Sequence, residues 1–209
     1  MIRHDLTLID RLAGIPQGGA LDTTLRHRAD MRRVIEDEYR RLLHPSDPGV
    51  ASLIERRAVA AFAAALLDED QTRDHFLGLL RATNPERIPL AALIEVEAEG
   101  SPTPGPYGSL PGHVPTVDDL DGAAYQVAPA MRSELGNRLA GALEHAHRRM
   151  FYPQDARPEN QAVLRTAGWC PEGVALLDQI VDLVGIYARI VAGLRGYLAL
   201  RQDFAIAAE

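Results

Sequence analysis

The stretch PAMRSELGNRLAGALEHAHRRMF, residues 129–151, decides the fold class. Met131, Leu135, Leu139, Leu143 and Met150 recur at spacings of four and seven, which puts them on one side of a helix and the charged residues on the other. The pattern predicts one long helix from Pro129 to Phe151, stopped by Pro153.

Towards the C-terminus, Pro158 to Ala167 reads as a shorter helix that Gly168 ends in the left-handed conformation. Cys170 then stands where a helix N-cap would, before Pro171 and Glu172. The last helix runs to about Leu200. Its apolar residues lie nearly all round, which predicts burial between other helices or against another subunit.

Towards the N-terminus, Leu6 to Leu12 reads as a short amphipathic helix ended by Gly18 and Gly19. A second helix is expected from about Thr24 to Leu43, with Met31, Val34, Ile35 and Leu42 on one side, and His44-Pro45-Ser46-Asp47-Pro48 breaks it. Asp47 or Ser52 caps the next helix, about Val50 to Leu67. Thr72 to Arg81 continues helically. Asn84 then caps a helix with Pro85 at its first position, running to about Ala98. From 100 to 117 prolines and glycines crowd the chain, and this segment reads as a long loop, either functional or a linker.

The fold expected is therefore all-α. A single domain of 1–209 is anticipated, with approximate halves 1–99 and 118–209. Arg40-Arg41-Leu42-Leu43-His44-Pro45-Ser46-Asp47 echoes Arg148-Arg149-Met150-Phe151-Tyr152-Pro153-Gln154-Asp155, which suggests that the halves are related.

Composition narrows function by exclusion. With 29 acidic and 22 basic residues the net charge is −7, whereas a duplex-binding domain draws its affinity from a basic excess. The arginine clusters fall on predicted helices and read as solvated faces. The most apolar segment, Val174 to Leu200, carries Asp178, Asp182, Arg189 and Arg195, so no membrane span is expected. The N-terminal residues lack a signal-peptide core. One cysteine, Cys170, excludes an intramolecular disulfide and a thiolate metal cluster, and a reducing cytoplasm is the expected location.

Several groups invite chemistry. Glu144 and His147 are three apart and share a helix face, while His145 points elsewhere. The pair reads as a general acid and base, as two metal ligands (His145 and His147 being weak candidates, with further ligands from His75 or Asp70), or as plain structure. His75, beside Asp74 and near Asp68 and Asp70, reads either as a pocket histidine oriented by a carboxylate or as part of an acidic helix start. Cys170 at a helix N-terminus is a thiolate candidate or simply a cap. Tyr107 and Tyr125 bracket the Pro/Gly loop and either line a pocket or anchor the loop. No phosphate-binding glycine loop and no nucleophile elbow occur.

Gly105-Pro106-Tyr107-Gly108, Leu143-Glu144-His145-Ala146-His147, Tyr152-Pro153-Gln154-Asp155-Ala156, Ala167-Gly168-Trp169 and Val191-Ala192-Gly193-Leu194-Arg195 follow one another in an order that resembles the carboxymuconolactone decarboxylase superfamily, in its alkylhydroperoxidase-D-like, peroxidase-related branch. The resemblance covers most of the chain. It implies an all-α fold of two pseudo-repeated halves and a homo-oligomer. Its peroxidase members use a Glu, a Cys-x-x-Cys pair and a His. Glu55 and His75 fall in the places of the Glu and the His, with one residue of slippage. The cysteine positions fall in Leu67-Asp68-Glu69-Asp70-Gln71-Thr72, which has no sulfur. Two thiols are needed to attack an O–O bond and then close a disulfide, so that mechanism does not carry over.

The expected function is that of a relative without thiol peroxidase activity, with no cofactor. It would partner itself, a cysteine-bearing paralogue or a small organic ligand, but neither nucleic acid nor membrane. Glu55, His75, Glu144 and His147 are the candidate catalytic residues, and Tyr107 and Asp70 the candidate ligand-pocket residues. The alternatives are a Glu/His acid–base lyase or isomerase acting on a small organic acid, and a non-catalytic helical binding module.

Overall fold

A computed structural model describes residues 6–25, 29–83, 85, 89–101, 125–152 and 158–206, and these residues carry ten helices and no strand. In chain order the helices are α1 (Leu8–Ala13), α2 (Ala20–Leu25), α3 (Ala29–Leu43), α4 (Leu53–Ala65), α5 (Asp70–Thr83), α6 (Pro89–Gly100), α7 (Pro129–Leu135), α8 (Asn137–Phe151), α9 (Pro158–Thr166) and α10 (Pro171–Ile206). The all-α expectation holds.

Helix α4 forms the axis of the bundle. Seven consecutive residues, from Ala58 to Ala64, have no exposed surface, so every face of this helix meets protein. Five of the seven are alanines, and their small side chains let neighbouring backbones approach closely. Helices α5, α6, α8 and α10 surround it. One hydrophobic cluster runs through both ends of the chain, from Leu8 and Leu42 to Leu143, Trp169 and Tyr187.

Local chemistry explains most helix ends. Thr7 and Asp10 close a capping box at α1, and Gly14 ends that helix at φ 71°, four residues before the predicted stop at Gly18 and Gly19. Ser52 and Glu55 make the same reciprocal box at α4, which selects Ser52 over Asp47 as its cap. Gly168 ends α9 at φ 91°.

Several expectations need correction. The helix expected over 129–151 is two helices: Gly136, at φ 80° and ψ 155°, turns the chain between α7 and α8 in a conformation that disfavours any other residue. The helix expected from Asn84 starts instead at Pro89, and Asn84 lies outside the described residues. On α3 the predicted apolar side is only half right. Leu42 is buried and Ile35 packs on the core, but Met31 and Val34 are exposed, and Tyr39 and Leu43 complete the buried face. Helix α10 is buried only as far as Val191, and beyond it most residues face outward. Most of the Pro/Gly segment, Tyr107 included, and Pro153 to Asp155 of the sequence echo lie outside the described residues.

Candidate functional site

Two polar networks enter the apolar interior. The first is centred on Tyr39 at the C-terminal end of α3. The phenol oxygen lies 3.0 Å from His75 Nε2 of α5 and 3.1 Å from His44 Nε2, just past the end of α3. Arg57, buried on α4, donates from Nη2 to His44 Nδ1 at 3.3 Å, from Nε and Nη2 to the Leu43 carbonyl, and from Nη1 to Thr83 Oγ1 at 2.7 Å. Phe76 and Tyr187 pack on the Tyr39 ring, with centroids 6.3 and 5.8 Å away. Tyr187, on α10, has no exposed surface, and its hydroxyl has no hydrogen-bond partner among the described residues. An unmade bond of this kind costs about 1–3 kcal/mol, so the hydroxyl is a waiting donor and acceptor.

Burial governs the protonation of this network. It pushes His75 down to about 4, with help from the charges of Arg11 and His44 and against the opposing pull of Glu36, so the imidazole is neutral at pH 7. His44 is lowered by burial and by Arg57 and Arg40. Burial raises Tyr39 to about 12 and carries Tyr187 further up, so both phenols keep their protons.

The second network joins α6, α8 and the segment before α7. Tyr125 donates to Glu97 at 2.6 Å, both side chains being buried. The Tyr125 ring lies against Phe62 and against His147, and His147 in turn lies against Phe151. Glu144 accepts from the Val127 amide at 2.9 Å and pairs with Arg132, pinning the entry to α7 onto α8. Glu144 and His147 thus meet the same segment, as their spacing implies. His145 faces away and bonds Asp178 of α10 at 2.8 Å.

The remaining predicted residues take other positions. Glu55 belongs to the Ser52 capping box and accepts from Arg138 Nε at 2.6 Å. Burial pushes its pKa up, but the bonds from Arg138 and Ser52 outweigh burial and hold it below the usual value. Its carboxylate is therefore engaged in holding α4 to α8, not in His75's network. Asp70 opens α5, exposed and paired with Arg73 at 2.8 Å, and Asp74 lies beside the same arginine. Among the described residues the hydrogen-bond partner of His75 is thus a phenol rather than a carboxylate. Cys170 is exposed and precedes α10, its carbonyl accepting from the Val174 amide. No group of three or more His, Cys, Asp or Glu able to hold a metal ion occurs among the described residues, nor is any helix there long and apolar enough to cross a membrane.

Sequence reasoning missed Tyr39, His44, Arg57, Glu97 and Tyr187. Polar residues on an otherwise apolar helix face were the available signal for Tyr39 and Tyr187. No family model, curated protein or solved structure matches this chain.

Proposed function

We propose that this chain is an alkylhydroperoxidase-D/carboxymuconolactone decarboxylase-like protein that works without thiol peroxidase chemistry, and that it binds a small organic acid beside His75 for acid–base chemistry of the lyase or isomerase kind. The reading rests above all on one observation: a neutral, half-buried imidazole bonded to Tyr39, whose ring packs against the buried ring of Tyr187, a residue whose hydroxyl has no hydrogen-bond partner among the described residues. Arg11, Arg40 and Arg57 act on these rings with positive charge and Glu36 with negative, a balance that favours an anionic ligand. The stretch from Leu67 to Thr72, where the family's thiols would fall, spans the end of the α4–α5 turn and the start of α5 and contains no sulfur.

The test is a titration of the full chain with acetate, pyruvate and benzoate, following the His75 ring resonances. At least one acid should move them saturably. Tyr187→Phe, which removes only the hydroxyl, should weaken that binding by about tenfold or more, the value of one hydrogen bond to a charged group. No response to any of the three acids, or equal binding by the phenylalanine variant, would overturn the reading. Peroxide turnover with a dithiol donor should stay at the protein-free rate. Robust turnover that survives Cys170→Ser would contradict it as well.

The same reading includes a homo-oligomer. From Ile186 onward, α10 carries a stripe of Ile186, Ile190, Gly193, Tyr197 and Leu200, with Ile186, Tyr197 and Leu200 exposed by 40%, 47% and 59%. Steps of three and four keep these residues within one face, the pattern of a helix seam. Size-exclusion chromatography at micromolar concentration should give more than one chain per particle, with Leu200→Glu shifting it towards monomer. A strict monomer for the unmodified chain would remove the proposal.

A further inference from the structure

We propose that His44 and Tyr39 form a directional hydrogen-bonded path that carries protons from solvent to His75, with Arg57 setting its direction. The argument follows from counting donors. Arg57 Nη2 offers only protons, so His44 Nδ1, 3.3 Å away, accepts. A neutral imidazole with a bare Nδ1 carries its proton on Nε2, and His44 Nε2 points at Tyr39 Oη. That oxygen therefore accepts from His44. The single hydroxyl proton of Tyr39 is left to donate to His75 Nε2 at 3.0 Å. His75, with Nε2 accepting, carries its own proton on Nδ1. Every donor along Arg57, His44, Tyr39 and His75 points the same way. The arrangement also argues against a metal bound by the two Nε2 atoms, because Arg57 commits the proton of His44 to the nitrogen that a metal would need.

The ends of the path differ as a relay requires. His44 is exposed, Tyr39 is buried and His75 is half-buried. When His75 gives its Nδ1 proton to a bound acceptor, Tyr39 passes its hydroxyl proton to His75 Nε2. His44 then passes its Nε2 proton to the Tyr39 oxygen, Arg57 Nη2 releases His44 Nδ1 while keeping Leu43 and Thr83 as partners, and solvent returns one proton to the freed Nδ1, which leaves both histidines in the opposite tautomer until proton exchange with solvent resets them. Each relaying group loses one proton and gains one, so the net transfer is a single proton from solvent to the acceptor. The charges facing the chain are Glu36 and Arg40 on α3, Arg11 on α1 and Arg57 on α4, with Tyr187 of α10 as the remaining titratable neighbour. Tyr39 and His44 are positioning and relay residues, and only His75 would touch the acceptor.

The inference deepens the acid–base reading of His75 and rests on it for its purpose, but its test needs no ligand. Long-range proton–nitrogen correlation spectra of the 15N-labelled full chain at pH 7 read the tautomer of each histidine. His44 should be protonated on Nε2 and bare on Nδ1, and His75 protonated on Nδ1 and bare on Nε2. Tyr39→Phe keeps the ring packing and removes the hydroxyl, so His75 should shift towards the Nε2-protonated form while His44 keeps its tautomer. His44→Gln, at an exposed position, retains a donor and an acceptor but cannot relay. It should leave the His75 tautomer in place and slow exchange of the Tyr39 hydroxyl proton with solvent several-fold. An unmodified chain with the His75 proton on Nε2 would overturn the path, as would a His75 tautomer indifferent to Tyr39→Phe or an exchange rate indifferent to His44→Gln. Correct tautomers with no response to the organic acids would instead retire the binding reading and leave the path standing.

Discussion

Truncating Trp169 to alanine should destabilise the fold by about 3–5 kcal/mol, the range for removing a fully buried tryptophan. This side chain joins parts of the chain that are far apart in sequence. It is 2% exposed and follows the Gly168 turn between α9 and α10. Its Nε1 donates to the Arg138 carbonyl at 2.9 Å, and the Arg138 guanidinium lies 3.9 Å above the ring. Arg138 in turn holds Glu55, the Val50 carbonyl and the Gly168 carbonyl. A Cβ on Gly173 would come within 2.8 Å of Trp169 Cε3, so the ring rests directly on the first turn of α10. Removing it opens a cavity and frees the arginine that links the start of α4 to α8. For a chain of this size the melting temperature should fall by roughly 6–20 °C. Trp169→Phe should fall between the two, since it keeps most of the apolar contact but loses the Nε1 bond and weakens the stacking. Thermal and urea melts of both variants check this. An alanine variant melting within three degrees of the parent, roughly 1 kcal/mol, would refute the role assigned to Trp169.

Replacing Arg56 with methionine should cost about 3–5 kcal/mol, for a different reason. Arg56 is 6% exposed, and its guanidinium donates to three carbonyls, Ala51 at 3.0 Å, Leu42 at 2.9 Å and Pro48 at 2.6 Å. All three belong to residues 42–51, which carry the chain from the end of α3 into α4. Burial depresses the pKa of Arg56, so the folded state must offset the desolvation of its charge. The three carbonyls do that, each accepting a charge-assisted bond worth about 1.5–3 kcal/mol. Methionine fills the aliphatic space and leaves these acceptors without their donor. Lysine should fail nearly as badly, because one ammonium cannot reproduce a planar fork aimed at three oxygens. Urea melts measure the loss, and wild-type stability in Arg56→Lys would show that the fork geometry is not what holds the connection. Since the same connection carries His44, the methionine variant should also disturb the tautomer of His44 in the relay.

How far the residues could be read depends on the distance over which their signals act. Ser52 and Glu55 sit three apart, and their reciprocal box is visible in the sequence as Ser-x-x-Glu before an apolar run. That reading explains Glu55 as a capping residue more directly than its alignment with a family glutamate does. The left-handed stop at Gly168 was equally legible. Gly136 was not, because a lone glycine in a helical pattern is compatible both with continuation and with a break, and the packing of α7 and α8 against each other decides between them. The shared face of Glu144 and His147 followed from helical spacing. Their meeting with the Tyr125–Val127 segment did not, since it depends on how the chain returns to α8 after residue 101.

By itself the amino-acid sequence determined that this chain is helical, roughly where its helices stop, and that no second thiol stands near Cys170, because these properties reside in single turns or in composition. Tertiary packing alone decided that Tyr39 would lie between two histidines, that Arg57 would orient the nearer one, and that a phenol from α10 would be buried beside them with no hydrogen-bond partner among the described residues. The reason is that hydrogen bonds between side chains 36 residues apart, as in Tyr39 and His75, are set by the crossing of whole helices, and no local pattern encodes that crossing.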